Sequence, residues 1–368
     1  MNVLNYNEYN NISIFSDIHF GKSRDSQVKL TIVKKFISWF IAKNREQNTQ
    51  VVVFNGDWFD NRNAISIITL NIAYDCIKEL SKYWPVILIV GNHDTTYKGN
   101  IDVNSIRIFQ EIHNVTVIQD ITELKLKDRE VLLCPWQPDI NTLTKRYDYA
   151  CGHFEFAGAS LAQNQVFDGT STILADLSRL APVVFSGHFH IHKEYPYKDS
   201  TIISIGSPVE LDWGDIGNDK GYYFLDTQTR QHTFIKNDGS PIHHYYYWSK
   251  LKDGTQKLSK TEIEGNYIKL VVDNKYSFEV IMTLAAKINT CNPIKPCEID
   301  FVYNVTTDLL DSMKTINMDA EIKMTPLEYI HKFITKLPAE NVVGIDMDEV
   351  LALADSYYDR SEYKSNET

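Results

Sequence analysis

The sequence predicts an α/β protein: two packed β-sheets flanked by helices, then a small α+β module and a C-terminal helix pair. Three observations carry this. Residues 51–54 and 86–90 are short, wholly apolar runs, the pattern of strands buried on both faces. Residues 26–43 and 65–83 repeat apolar side chains at helical spacing; Val28, Ile32, Phe36 and Phe40, with Val33 and Ile37, mark the first. Beyond about residue 115 the chain changes to short apolar runs broken by turn residues, at 115–118, 124–126, 131–133, 147–151, 183–185, 202–205 and 222–225. Strands alternating with helices, followed by mostly strands, suit a layered domain with two sheets face to face.

Taken in order, residues 12–15 form the first strand and end at Ser16-Asp17, Asp25 or Ser26 caps the first helix, and residues 101–112 form a third helix. The first domain is expected to span residues 1–238. A second, at 239–320, holds a strand at 267–272, a helix at 278–288 and a strand at 299–305. The tail, 321–368, carries two amphipathic helices. Leu327, Ile330, Phe333 and Ile334 mark the first; Val350, Leu351, Leu353, Ala354 and Tyr357 mark the second, opened by Asp346 or Asp348.

Composition narrows the function classes. Of 368 residues, 43% are hydrophobic and 23% charged, which excludes a wholly disordered or collagen-like chain. Lys and Arg number 37 against 48 Asp and Glu, a net charge of −11. That balance argues against coating DNA by bulk charge, yet leaves DNA open as a substrate gripped by local basic patches. No run approaches the roughly 18 apolar residues of a membrane span. The polar start has no basic-then-apolar leader pattern. Five cysteines without a CxxC pair fit reduced thiols. A cytoplasmic chain is expected, in the host cytoplasm if phage-encoded, with no membrane partner.

Five short motifs end predicted strands: Asp17-Ile18-His19, Gly56-Asp57-Trp58-Phe59-Asp60, Gly91-Asn92-His93-Asp94, Gly152-His153 and Gly187-His188-Phe189-His190. Carboxyl ends of strands are where α/β sheets bind ligands. Mixed His, Asp and Asn donors without thiolate suit Mn²⁺, Fe²⁺, Co²⁺ or Zn²⁺ in an open catalytic site. The donors outnumber the needs of one ion, so two ions sharing a carboxylate is the economical arrangement. Such ions, about 3.5–4 Å apart, activate a water and clamp the attacking and leaving oxygens of phosphoryl transfer. The departing alkoxide needs a proton, which an imidazole can supply near neutral pH. Asp94 reads as a loop-shaping residue. His113, His192, His232, His243, His244 and His331 match no motif and read as surface or structural, and the aromatic run 245–248 reads as packing.

The motif set resembles the calcineurin-like metallophosphoesterases and, within them, the SbcD/Mre-type DNA repair nucleases in their phage-encoded recombination form. Gly56 to Asp60, with a second Asp three residues after the first, carries that likeness. So do Cys151-Gly152-His153-Phe154-Glu155, Ser186-Gly187-His188-Phe189-His190, Ile205-Gly206-Ser207-Pro208 and Lys220-Gly221-Tyr222. The resemblance implies two metal sites. Asp17, His19, Asp57 and His190 would hold one ion; Asp57, Asn92, His153 and His188 would hold the other. His93 would face the scissile phosphate, with Asp60 hydrogen-bonded to it and raising its pKa. Mn²⁺ is the implied ion, Mg²⁺ the weaker supporter of activity. The implied activity is 3′–5′ exonuclease on duplex DNA and endonuclease on single strands. Further implications are a DNA-end capping module at 239–320, a homodimer, and a helix pair at about 325–360 that binds the coiled coil of an SbcC-type ABC ATPase.

Basic residues near the motif loops, Lys22, Arg24, Arg62 and Lys98, are candidate DNA phosphate contacts. The chain has no phosphate loop of its own, so ATP dependence would come from the partner. The alternative is a small-molecule phosphodiesterase or phosphatase with the same metal core, which leaves the second module and the helix pair without a role.

Overall fold

The computed structural model describes residues 1–97, 100–136, 139–162, 165–170 and 172–302, together with 331, 335, 346–352 and 355. Residues 1–302 form one compact unit and 303–368 a second.

The first unit is built on two sheets. One orders β13 (Gln231–Lys236), β12 (Gly221–Asp226), β2 (Asn11–Phe15), β3 (Val51–Phe54), β4 (Val86–Ile89) and β5 (Val115–Ile118), with β2 to β5 parallel. The other orders β1 (Asn2–Tyr6), β6 (Thr122–Leu126), β7 (Glu130–Cys134), β8 (Tyr149–His153), β9 (Val183–Gly187), β11 (Ser200–Ser204) and β10 (Lys193–Tyr197). Here β7, β8, β9 and β11 run parallel.

The apolar runs follow from this layering. Along β3, Val51 and Val53 face the layer between the sheets, where they meet Leu133, Cys151 and Phe185. Val52 and Phe54 face the other way, onto α1 (Gln27–Glu46) and α2 (Ile67–Ser81). Strand β4 divides likewise, with Ile87 and Ile89 inward and Val86 and Leu88 outward. A strand covered on both faces has no polar position to alternate. Helix α1 buries Leu30, Val33, Phe36, Ile37 and Phe40. Ser26 stands at its N-cap without a side-chain cap bond, whereas Asp25 accepts from Thr69 Oγ1 at 2.6 Å.

Three expectations are corrected. The polar start contains β1, paired in parallel with β6. As the outermost strand it has only Leu4 and Tyr6 partly buried against the core, too few to set a period. Residues 101–112 are not an α-helix: Asn100–Asn104 is a strand paired with Thr95–Tyr97, and Ser105–Glu111 is a 3₁₀ helix. Ile106 and Phe109 are the buried pair, three residues apart as a three-residue turn requires. The last strand of the small module spans Glu298–Phe301; Val302 follows it outside the strand, and residues 303–305 of the foreseen stretch lie outside the described residues.

That module is a parallel sheet of β14 (His243–Tyr247), β15 (Tyr267–Val272) and β16 (Glu298–Phe301), with α3 (Phe278–Asn289) crossing between the last two. It has its own core of Tyr246, Ile268, Leu270, Val272, Ile281 and Ile288. It joins the sandwich through buried ionic groups. Glu210 Oε2 accepts from the His243 N–H at 2.6 Å and lies 2.8 Å from its Nδ1. Lys29 of α1 donates to the Glu210 carbonyl at 3.3 Å, and its ammonium sits 4.2 Å from the Tyr267 ring centre. The aromatic run therefore packs as expected: Tyr246 is buried, and Tyr245 lies 5.0 Å from Trp213. His243 and His192 are structural too, the latter stacked 3.8 Å from Phe234. All five cysteines are free thiols.

In the second unit, His331 and Thr335 are helical, as are residues 347–352 and 355. Asp346 caps the latter segment, accepting from the amides of Asp348 and Glu349 at 3.0 and 3.2 Å. His331 Nε2 meets Asp355 Oδ1 at 2.7 Å. The apolar markers Leu327, Ile330, Phe333, Ile334, Leu353, Ala354 and Tyr357 lie outside the described residues.

Candidate metal and phosphoester site

Every expected ligand lies on or just past the carboxyl end of β2, β3, β4, β8 or β9. The two sheets are drawn together at this edge. Asn55 Nδ2 donates to the Phe185 carbonyl at 2.9 Å, and Ser16 Oγ donates to the Asn55 carbonyl at 3.0 Å. Glycine is required at two crossings. A Cβ on Gly187 would collide with Ser16 Oγ and the Asn55 carbonyl, and one on Gly56 (φ 95°) with the His153 ring.

Four expected ligands stand in left-handed backbone: Asp17 (φ 55°), His19 (φ 50°), Asp57 (φ 64°) and His188 (φ 89°). Each non-glycine residue there costs of order 1–3 kcal/mol and persists only where the surroundings over-determine it. Asp94 supplies much of that determination. Its buried carboxylate accepts from the backbone N–H groups of Asp57, Trp58, Phe59 and Gly91 at 2.9, 3.0, 3.1 and 3.0 Å. It shapes the loop, as the sequence suggested. Asp94→Ala would strand four buried donors, and a loss of at least about 3 kcal/mol of stability is expected in urea denaturation. Asp94→Asn keeps one acceptor oxygen and should lose less.

The expected ligands fall in two groups, and His19, Asp60 and His93 make a third cluster within the same 4.8 Å. In the first, ligand atoms of Asp17, His19 and His190 lie within 4.8 Å of one another. His19 Nε2 and His190 Nε2 approach to 3.0 Å, and His19 Nε2 is 4.0 Å from Asp17 Oδ1. The Asp17 carboxylate also accepts from the His188 N–H at 3.1 Å. Burial first, and His19 second, depress the His190 imidazole well below its ordinary range. Burial would depress His19 as well, but Asp60, Asp57 and Asp17 outweigh it and raise that imidazole.

In the second group, ligand atoms of Asp57, His153 and His188 also lie within 4.8 Å of one another. His153 Nε2 is 3.4 Å from Asp57 Oδ2. One end of the Asn92 amide is 2.8 Å from His153 Nε2, 2.8 Å from His188 Nδ1 and 3.2 Å from Asp57 Oδ2. His153 Nδ1 meets the Asn55 carbonyl at 2.6 Å, the outer bond that fixes the tautomer and turns the other nitrogen to a metal. Asp57 borders both groups, its Oδ2 lying 3.7 Å from His19 Nε2. Burial opposes its charge, yet the imidazoles of His153, His19 and His93 hold its carboxyl far below the usual range. Carboxylates and imidazole nitrogens converging this closely suit cations, and the residues present fit a dinuclear centre.

Residues 11–192 match the calcineurin-like phosphoesterase family. The chain carries a calcineurin-like metallophosphoesterase domain. It is similar to exonuclease subunit 1 of Enterobacteria phage T4, with 27% identity over 269 residues, 69% of this chain and 77% of that protein. Among solved structures, an archaeal phosphodiesterase aligns at 17% identity with a TM-score of 0.35, covering 62% of this chain and 99% of its own. Yfce, a phosphoesterase from E. coli, aligns at 10% identity with a TM-score of 0.33, covering 62% and 98%.

Within the metallophosphoesterase site, His93 lies beside both groups: its ring centre is 4.9 Å from that of His19, and its N–H donates to Asp57 Oδ1 at 2.7 Å. Its partnership with Asp60 needs correction. His93 Nδ1 meets the Asp60 backbone carbonyl at 2.6 Å, not the carboxylate. The carboxylate pairs instead with His19 Nδ1 at 3.3 Å and Lys22 Nζ at 3.4 Å, with a His93 ring nitrogen within 4.8 Å. The Asp60 carbonyl does raise the His93 pKa, as expected, but burial first, then His19 and Arg62, outweigh it and Asp57, and the net shift is downward.

The basic candidates separate. Lys22 is half-buried against Asp60, Arg24 is exposed in left-handed backbone, and Arg62 reaches the Asn92 amide with Nη2 at 2.8 Å. Lys98 lies outside the described residues. Two contributors escaped the sequence reading. Glu155 Oε2 lies 3.4 Å from His188 Nε2, and Trp136 packs 5.0 Å from the His188 ring and 5.8 Å from that of His153. Glu155 closes the Cys151–Glu155 stretch that carries the family likeness, two residues after His153; Trp136 carries no local signal.

Proposed function

We propose that this metallophosphoesterase is a dinuclear-metal DNA nuclease subunit that works with Mn²⁺. The single observation that carries it is the convergence of two oxygen-and-nitrogen donor groups on the buried Asp57 carboxylate. One ion would be held by Asp17, His19, Asp57 and His190, the other by Asp57, Asn92, His153 and His188. Bound there, such ions supply an activated water and charge neutralisation at the phosphate. The chain's own contribution is at His93. Its Nδ1–H donates to the Asp60 carbonyl, so in the imidazolium form the second proton sits on Nε2, from which it would pass to the departing sugar oxygen and leave the neutral ring. Asp60 acts on His93 through its backbone and on His19 through its carboxylate. Lys22, Arg24 and Arg62 border these loops and would grip the DNA backbone.

DNA is favoured as substrate because the likeness to the phage exonuclease subunit extends over 77% of that protein. The proposed activities are 3′–5′ exonuclease on duplexes and endonuclease on single strands, in recombination and replication of phage DNA in the host cytoplasm. Among the described residues no helix is long and apolar enough to cross a membrane. The 239–320 module would cap DNA ends, and the helices at about 325–360 would bind an SbcC-type ATPase. Exposed Ile67, Ile68 and Tyr74 on α2, with Ile108 on the adjoining 3₁₀ helix, offer an apolar surface for a second copy of the chain.

The test is digestion of an end-labelled linear duplex and of circular single-stranded DNA. Cleavage is expected with Mn²⁺ and should vanish with a chelator. No cleavage of DNA, alone or with the ATPase, together with brisk hydrolysis of a small phosphodiester, would replace this proposal by the small-molecule alternative.

A further inference from the structure

The Asn92 amide makes incompatible demands at its two ends. Its inner end faces His153 Nε2 and His188 Nδ1, each at 2.8 Å, and Asp57 Oδ2 at 3.2 Å. Its outer end faces the Arg62 guanidinium, with Nη2 at 2.8 Å. A guanidinium has donors and no acceptor. The structure sets Oδ1 inward and the NH₂ against Arg62, donor against donor at 2.8 Å; turning the amide, oxygen outward and NH₂ inward, relieves that opposition. In that orientation the NH₂ donates to the imidazole nitrogens and the Asp57 carboxylate, and both ends are satisfied. Metal ligation by Asn92 requires the opposite, because an amide coordinates a hard cation through oxygen. The outer end would then be NH₂ opposed to NH₂, and Arg62 must leave. The Arg62–Asn92 bond and a cation ligated by Asn92 exclude each other.

We propose that Arg62 is a metal-released substrate arginine. Without metal it holds the Asn92 oxygen and competes with the second ion. With metal the guanidinium is freed, still on the loop that follows Asp57 and Asp60 and within the field of His93, and it binds the phosphodiester bidentately. Metal would thus be taken up first and substrate second. The order prevents the arginine from gathering phosphate at an unloaded site. The second half of the inference rests on the phosphodiesterase reading; the first half does not.

The test uses the full chain and three proteins: wild type, Arg62→Ala and Arg62→Lys. Arg62 is half-buried and outside the cores, so both variants should fold. Mn²⁺ titration by calorimetry without substrate reads the first half. Arg62→Ala should bind the weaker of its two ions about 3- to 10-fold more tightly than wild type, the worth of one ordinary hydrogen bond removed from the competing state. A structural role would weaken metal binding instead; unchanged or weaker affinity overturns the inference. Steady-state hydrolysis of bis(p-nitrophenyl) phosphate at saturating Mn²⁺ reads the second half. Arg62→Ala should lose at least about tenfold in kcat/KM, and Arg62→Lys should recover part of it. Unchanged kcat/KM in Arg62→Ala overturns the substrate role. A wild type that hydrolyses no phosphodiester would sink the functional proposal, while the Mn²⁺ titration would still decide the release of Arg62.

Discussion

Asp57→Asn is expected to abolish phosphodiester hydrolysis, by roughly a thousandfold or more, through loss of the ion pair. The reason is the carboxylate's position between the two donor groups. Its Oδ2 lies 3.4 Å from His153 Nε2 and 3.7 Å from His19 Nε2, one imidazole from each group. No other expected ligand borders both groups in this way. An amide there removes the shared negative charge from two sites at once and leaves one neutral oxygen where two cations need a carboxylate. Bound Mn²⁺ after dialysis should fall from about two per chain to one or fewer. Folding should survive, because four N–H bonds to Asp94 hold the loop independently of the Asp57 side chain. Asp57→Asn with two tightly held ions would show that the carboxylate is not shared.

His93→Ala is expected to cost about 10²- to 10⁴-fold in rate, the usual worth of a positioned proton donor, with metal content unchanged. The separation is clean for a structural reason. The bond from position 93 to Asp57 Oδ1 comes from the backbone N–H, so truncating the side chain leaves it in place. What disappears is the imidazole held by the Asp60 carbonyl. Single-turnover cleavage should therefore slow while DNA binding and Mn²⁺ stoichiometry stay at wild-type levels. Loss of metal together with rate would move His93 from proton transfer to ligation. Asp60→Asn separates the neighbour's two roles: it spares the carbonyl that orients His93 and weakens the carboxylate contact to His19.

Much of the sandwich and the addresses of the ligands could be read from the chain, because both rest on local patterns. An apolar run such as 51–54 states that a strand is covered on both sides, and the motif after it then stands at a carboxyl end. What could not be read depends on contacts between distant segments. His188 N–H reaches Asp17 across 171 residues, and the Asn55 amide reaches Phe185 across 130. No periodicity reports which way a side chain turns at such a junction. Asp60 shows this: its spacing from Asp57 is visible, but its carboxylate pairs with Lys22 and His19 while its carbonyl holds His93 Nδ1. Strand β1 escaped because an outermost strand with two partly buried side chains has no pattern to show. The 3₁₀ helix after residue 104 reads as an α-helix in the sequence because buried Ile106 and Phe109 satisfy either period.

The dinuclear centre is tested most directly by anomalous diffraction from crystals of the wild-type chain grown with Mn²⁺. Two anomalous peaks are expected, one among Asp17, His19 and His190 and one among Asn92, His153 and His188, both within bonding distance of Asp57. A single peak, or two peaks of which only one touches Asp57, would contradict it.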